Sequence, residues 1–157
     1  MREIQLAAKI MVLKANELNN EVDKALVQKA TEAVQLSYSP YSKFKVGCAL
    51  YLSNGEYVLG ANQENASYPI CLCAEGVTLS TAKTLYPDAH ILKMAICVPS
   101  VESPVSPCGL CRQSIKEYET RQSEDIEIFL VGKEEIYFFK GISNILPLAF
   151  DGTKLSL

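Results

Sequence analysis

Nowhere does the 157-residue chain approach the ~20 consecutive apolar residues that a membrane-spanning helix needs. The longest apolar runs, such as Pro69-Ile70-Cys71-Leu72-Cys73-Ala74, are far shorter. The charged start, Met1-Arg2-Glu3, lacks the hydrophobic core of a secretory signal. Surplus positive charge is missing as well. Fifteen Lys and Arg against eighteen Asp and Glu leave a net charge of −3. That balance excludes the basic footprint of a protein that grips nucleic acid and makes a small neutral or cationic ligand the easier partner. Repeats, linkers and low-complexity tracts are absent. Six cysteines are too few for a disulfide scaffold in a chain with 48% hydrophobic residues, which can bury a core of its own. Reduced thiols and a cytoplasmic location are expected. One domain over residues 1–157 is expected, with a strand extension at 1–19 and a catalytic core at 20–157.

Ile4, Leu6, Ala8, Ile10 and Val12 alternate with mostly polar residues, the period-two pattern of a half-buried strand. Asn20 reads as the N-cap of a helix over 21–36. Strands are expected at 44–52 and 57–61 around Ser53-Asn54-Gly55-Glu56, a hairpin signal. A loop at 62–69 leads to a helix over 73–85 and a strand over 92–98. A Pro-rich loop at 99–107 precedes a helix over 109–119. Strands at 126–131 and 136–139 and a short helix at 142–146 complete the pattern. Strands alternating with helices predict an α/β fold, one mixed sheet covered by helices on both faces.

Cys73-Ala74-Glu75 and Pro107-Cys108-Gly109-Leu110-Cys111 each open a predicted helix. Backbone N–H groups are unpaired there and the dipole is positive, which favours thiolate, the form that binds metal. Three thiolates leave the fourth position of a tetrahedral zinc open, as at a catalytic rather than a structural site. Glu75 can face that open position and carry protons. Cys48 and Cys97 sit among apolar neighbours and read as small buried residues, whereas Cys71, two residues from Cys73, is ambiguous. His90 reads as a loop or surface residue.

The paired motifs resemble those of the small cytidine deaminases of nucleoside salvage, in the form with three cysteine ligands. The resemblance runs from Ser39 onward. It takes in Ser39-Pro-Tyr-Ser-Lys-Phe-Lys-Val-Gly47, Asn62-Gln-Glu-Asn-Ala-Ser-Tyr-Pro69, Ser106-Pro-Cys-Gly-Leu-Cys-Arg-Gln113 and Ile145-Leu-Pro-Leu-Ala-Phe150. It implies a three-layer α/β/α fold with a five-stranded mixed sheet, here with an added N-terminal strand. It also implies zinc on Cys73, Cys108 and Cys111, with Glu75 as proton carrier. Asn62 and Glu64 would bond the ribose hydroxyls, Phe44 would stack near the pyrimidine, and the backbone around Ala74 and Ser106 would frame the base. Tyr41 and Phe150 match residues that reach a neighbouring subunit's site, which implies a homotetramer. The implied reaction converts cytidine or deoxycytidine to the uracil nucleoside and ammonia.

One position departs from the pattern. Where the family typically has Arg after Cys-Ala-Glu, this chain has Gly76, which cannot offset the charge of three thiolates. Arg112, directly after Cys111, is the nearest replacement cation. The departure keeps two alternatives open: a deaminase for another aminopyrimidine nucleoside of the blasticidin type, and a catalytically weak zinc protein.

Overall fold

The computed structural model describes residues 1–155; positions 156 and 157 of the expected domain lie outside the described residues. Six strands form one sheet: β1 (Met11–Leu13), β2 (Gly47–Leu52), β3 (Tyr57–Ala61), β4 (Ile91–Cys97), β5 (Glu127–Val131) and β6 (Ile136–Lys140). Their order is β1-β6-β5-β4-β2-β3. Only β4 and β5 run parallel, and their connection carries the crossover helix that a parallel pair requires. The β2–β3 hairpin turns at Ser53–Glu56, where Gly55 adopts a φ of 86° that side chains resist.

Helix α1 (Glu21–Ala33) covers one face, and α2 (Ala74–Leu85) and α3 (Gly109–Gln122) cover the other. The alternation of β2 serves both layers. Ala49 joins Leu26, Ala30, Ala95 and Phe129 under α1, while Cys48 and Leu50 join Leu79, Met94, Ile115 and Ile128 under α2 and α3. The three-layer α/β/α arrangement is the expected one. Asn20 caps α1, its Oδ1 accepting from the Val22 N–H at 2.8 Å, and a 3-10 turn at Val34–Leu36 completes the predicted helix. Gly47 lets α1 lie directly on β2: a Cβ there would run into the Ala30 carbonyl and stand 2.6 Å from the Val34 nitrogen. The helix predicted over 142–146 is a 3-10 turn at Ile142–Asn144.

The amino-terminal strand is shorter than its alternation predicts. Only Met11–Leu13 pairs with β6, and Ile4, Leu6 and Ile10 are exposed. β1 is an edge strand with one neighbour, and the Lys9 N–H leaves the ladder for Asn144 Oδ1 at 2.8 Å. Alternation specifies an apolar face but supplies nothing to cover it. No helix among the described residues is long and apolar enough to cross a membrane.

Candidate active site

Two helices begin on cysteine. Cys73 is the N-cap of α2 and Cys108 that of α3, and neither sulfur caps its helix. Ser, Thr, Asp or Asn normally fills this place because an oxygen can accept from the first turn. Here the backbone closes the turn alone, through Val77 N–H to the Cys73 carbonyl (3.1 Å) and Arg112 N–H to the Cys108 carbonyl (2.9 Å). Both sulfurs stay available. Cys111 joins them from the first turn of α3, and the three Sγ atoms lie within 4.8 Å of one another. Cys108 and Cys111 Sγ are 3.6 Å apart. A tetrahedral ion with bonds of ~2.3 Å holds its sulfur ligands roughly 3.8 Å apart, so this donor set fits zinc. Among the described residues no other group of three or more metal-binding side chains converges this way.

The Cys73 thiol is lowered to about 7, chiefly by a hydrogen bond from Cys111, whose own ionisation is pushed up in return. Glu75 is buried in the first turn of α2 and is not a member of the sulfur group. Burial raises its carboxyl above the ordinary range, opposed by its own backbone N–H and by Cys111. Cys48 and Cys97 are core residues, with Cys97 Sγ 3.6 Å from the Thr31 hydroxyl. Cys71 lines the cavity outside the cluster and accepts the Asn65 N–H at 3.2 Å.

A cavity of about 710 Å³ opens over the three sulfurs. Tyr41, Phe44, Asn62, Glu64, Ala74, Glu75 and Ser106 all line it. Asn62 is committed largely to its own loop. Its Oδ1 accepts from the Ser37 hydroxyl (2.6 Å) and the Val46 N–H (2.9 Å), and its amide donates to the Phe44 carbonyl (2.9 Å). These bonds hold residues 44–46 in place, which is why β2 begins at Gly47 rather than at 44. One amide hydrogen remains for a ligand. Glu64 accepts from the Ser42 hydroxyl and from the N–H groups of Tyr41 (2.8 Å) and Ser42 (3.2 Å). The Ser42 hydroxyl foremost holds this carboxyl below its usual range. Tyr41 packs edge-on against Tyr68.

Phe150 is exposed and outside the cavity lining. Arg112 does not turn toward the sulfurs. Its three nitrogens donate to the Pro107 carbonyl, the Ile145 carbonyl and Ser106 Oγ. Beside Gly76 an added Cβ would meet nothing within 4 Å.

Several lining residues escaped the sequence reading. Ile96, Val98 and Val105 look like ordinary core in sequence, and only the end of β4 and the loop that follows it bring them to the cavity. Ser42 stood in a recognised block, but its bond to Glu64 had no local signature. The lining includes no Lys, Arg or His.

The model of the cytidine and deoxycytidylate deaminase zinc-binding region matches residues 20–123, more than half of the chain. The chain belongs to this family. Its curated relatives include the cytidine deaminase of Mycoplasma pneumoniae, 36% identical over 122 residues that span 78% of this chain and 89% of the relative. The cytidine deaminase of Halalkalibacterium halodurans is 36% identical over 80% of this chain and 91% of its own length. Among solved structures, the cytidine deaminase of Burkholderia pseudomallei superposes with a TM-score of 0.71 at 34% identity, covering 80% of this chain and 97% of that one. The family match runs from α1 through α3 and so includes both cysteine blocks; β1, β5 and β6 lie outside it.

Proposed function

We propose that this protein catalyses hydrolytic deamination of cytidine or deoxycytidine to uridine or deoxyuridine, with release of ammonia. One observation carries the reading: a three-sulfur cluster and a buried glutamate outside it line the same cavity as a polar Asn62–Glu64 loop. Cys73, Cys108 and Cys111 would hold a zinc ion, which supplies Lewis acidity and makes water a competent nucleophile at neutral pH.

Glu75 then does the proton work. It takes one proton from the attacking water and passes it to ring N3, then takes that water's second proton and delivers it to the departing amine, so the oxygen stays on the ring and ammonia leaves. Glu64, kept ionised by Ser42, accepts from ribose hydroxyls, and the free amide hydrogen of Asn62 donates to them. The Phe44 ring offers a flat apolar face to the base, whose edge meets the backbone around Ala74 and Ser106.

A nucleoside suits the cavity better than its 5′-phosphate. With no cationic lining residue and with Glu64 and Glu75 in the wall, a phosphate would meet only like charge, a mismatch of several kcal/mol. The test is an absorbance assay of the zinc-loaded protein on cytidine, deoxycytidine and deoxycytidine monophosphate. Turnover of the nucleosides is expected, with kcat/KM lower for the nucleotide by roughly 100-fold or more. Zinc binding without turnover of either nucleoside, or a preference for the nucleotide, would overturn this choice of substrate.

The same reading extends to assembly. Exposed Tyr41, Phe44, Tyr68 and Leu72 rim the cavity, and a homotetramer in which neighbours cover these mouths would bury them. Light scattering at micromolar concentration should give a tetramer; an active monomer would refute the arrangement. All six cysteines are unpaired, which suits a reducing cytoplasm.

A further inference from the structure

Arg112 follows Cys111 in the first turn of α3. A cation at that end of a helix opposes the dipole, so its placement calls for compensating bonds. Three are present. Nε donates to the Pro107 carbonyl at 2.8 Å, Nη2 to Ser106 Oγ at 3.0 Å and Nη1 to the Ile145 carbonyl at 2.8 Å. Ser106 and Pro107 form the loop that leads into Cys108, and both line the cavity. Ile145 belongs to the segment that returns along α3 after β6. That segment is pinned twice more, by Glu119 to the Ile142 N–H (2.9 Å) and by Gln113 to the Phe150 carbonyl (2.9 Å).

We propose that Arg112 is a positioning residue for the metal-binding loop and for the Ser106 hydroxyl. Its planar fork ties the Ser106–Pro107 loop to the turn that carries Cys111. This holds the Cys108 sulfur at its spacing from Cys111, with the Ile145 carbonyl as the outer anchor. The fork also decides which way Ser106 acts. A hydroxyl has one proton, and Ser106 Oγ is already an acceptor from Nη2, so its own proton is turned away from the guanidinium. On the cavity side that proton meets a ligand, and Ser106 serves as a donor to an acceptor atom of the bound molecule. Lysine could not replace this fork, because a point charge cannot satisfy three acceptors arranged around one plane.

The identity of the ligand rests on the deaminase reading, whereas the effect on the metal loop does not. Substitutions at Arg112 and Ser106 in the zinc-loaded protein test the proposal. For R112K, transfer of zinc to a chromogenic chelator should be at least about tenfold faster than for the unsubstituted protein, the lower end of the scale for loosening the surroundings of a metal site. Thermal unfolding should show R112K still folded. Guanidinium ion added at millimolar concentration to R112G should restore slow release, which a general loss of stability would not allow. For S106A, KM for cytidine should rise about five- to tenfold with kcat nearly unchanged, the scale of one neutral hydrogen bond. The KM effect should be absent when S106A is added to R112K, since the hydroxyl is no longer oriented there.

A folded R112K that releases zinc at the unsubstituted rate overturns the proposal. So does S106A with unchanged KM, which stands as a test even if R112K does not fold. If the unsubstituted protein turns over no nucleoside, the deaminase reading fails, while the zinc-release comparison still decides the role of Arg112.

Discussion

Glu75 and Glu119 both bury a carboxyl under the face of the sheet that α2 and α3 cover, at 5% and 2% exposure. Burial is the foremost cause that raises each above the ordinary carboxylate range. Their surroundings differ. Glu119 Oε1 accepts from the Ile126 N–H (3.1 Å) and the Ile142 N–H (2.9 Å), so it joins the start of β5 and the turn after β6 to α3. Its Oε2 is buried with no hydrogen-bond partner. No cavity reaches it among those described. Glu75 lines the open cavity beside the three sulfurs, where its own backbone N–H and Cys111 only partly offset the effect of burial on its carboxyl. Depth therefore does not separate a sealed glutamate from one that a ligand can reach. The difference lies in what remains for the carboxyl to do once its local bonds are made, and in whether a ligand can reach it.

The sharpest way to test this contrast is Glu75→Gln. On the proposed mechanism the amide cannot carry a proton, so turnover should fall by about 10²–10⁴ with zinc content and unfolding midpoint unchanged. Rate and metal assays on the same preparation check this. Glu119→Ala should do the reverse. It leaves two backbone N–H groups buried without partners, at a cost of about 1–3 kcal/mol each. Urea denaturation should show that loss, while kcat per folded molecule stays within a few-fold. A catalytic defect as large as that of Glu75→Gln would break the comparison.

A smaller effect concerns pH. The folded carboxyl of Glu119 is raised above its ordinary value of 4.5, so the native state holds this proton where the unfolded chain releases it. The resulting stability is fully present below 4.5 and is lost as pH rises through the folded value. Glu119→Gln removes that dependence. The stability difference between unsubstituted protein and variant should therefore move in the variant's favour as pH increases, and parallel profiles would contradict the raised carboxyl. The smallest change belongs beside Glu75. Gly76→Ala meets nothing within 4 Å and should stabilise α2 by up to about 1 kcal/mol, read as a rise of a few degrees in Tm. If activity fell as well, the open space at Gly76 would be in use by substrate or by a neighbouring subunit.

Much of this was legible from short patterns. The Asn20 cap, the Asn54-Gly55 hairpin and the cysteines at two helix starts depend on a few neighbouring residues, and the structure bears out all three. The alternation of residues 4–12 misled, because an edge position offered one partner strand and no covering layer. Arg112 was visible as a nearby cation, but its acceptors at Ser106 and Ile145 are separated from it by 6 and 33 positions, beyond any local rule.

The amino-acid sequence alone determined which atoms are available: three sulfurs, a carboxyl two residues after the first of them, and a loop able to offer both donors and acceptors. Spacing and helix-start chemistry settle that much, because they act over one or two turns of chain. Only the tertiary structure decided which of those atoms remain free. Asn62 gives most of its amide to Phe44, Val46 and Ser37, Arg112 is drawn away from the sulfurs, and one of two buried glutamates is sealed while the other lines a cavity. Each outcome depends on partners distant along the chain. Whether a polar group keeps a hydrogen bond for a ligand is settled only when folding has brought its competitors within reach.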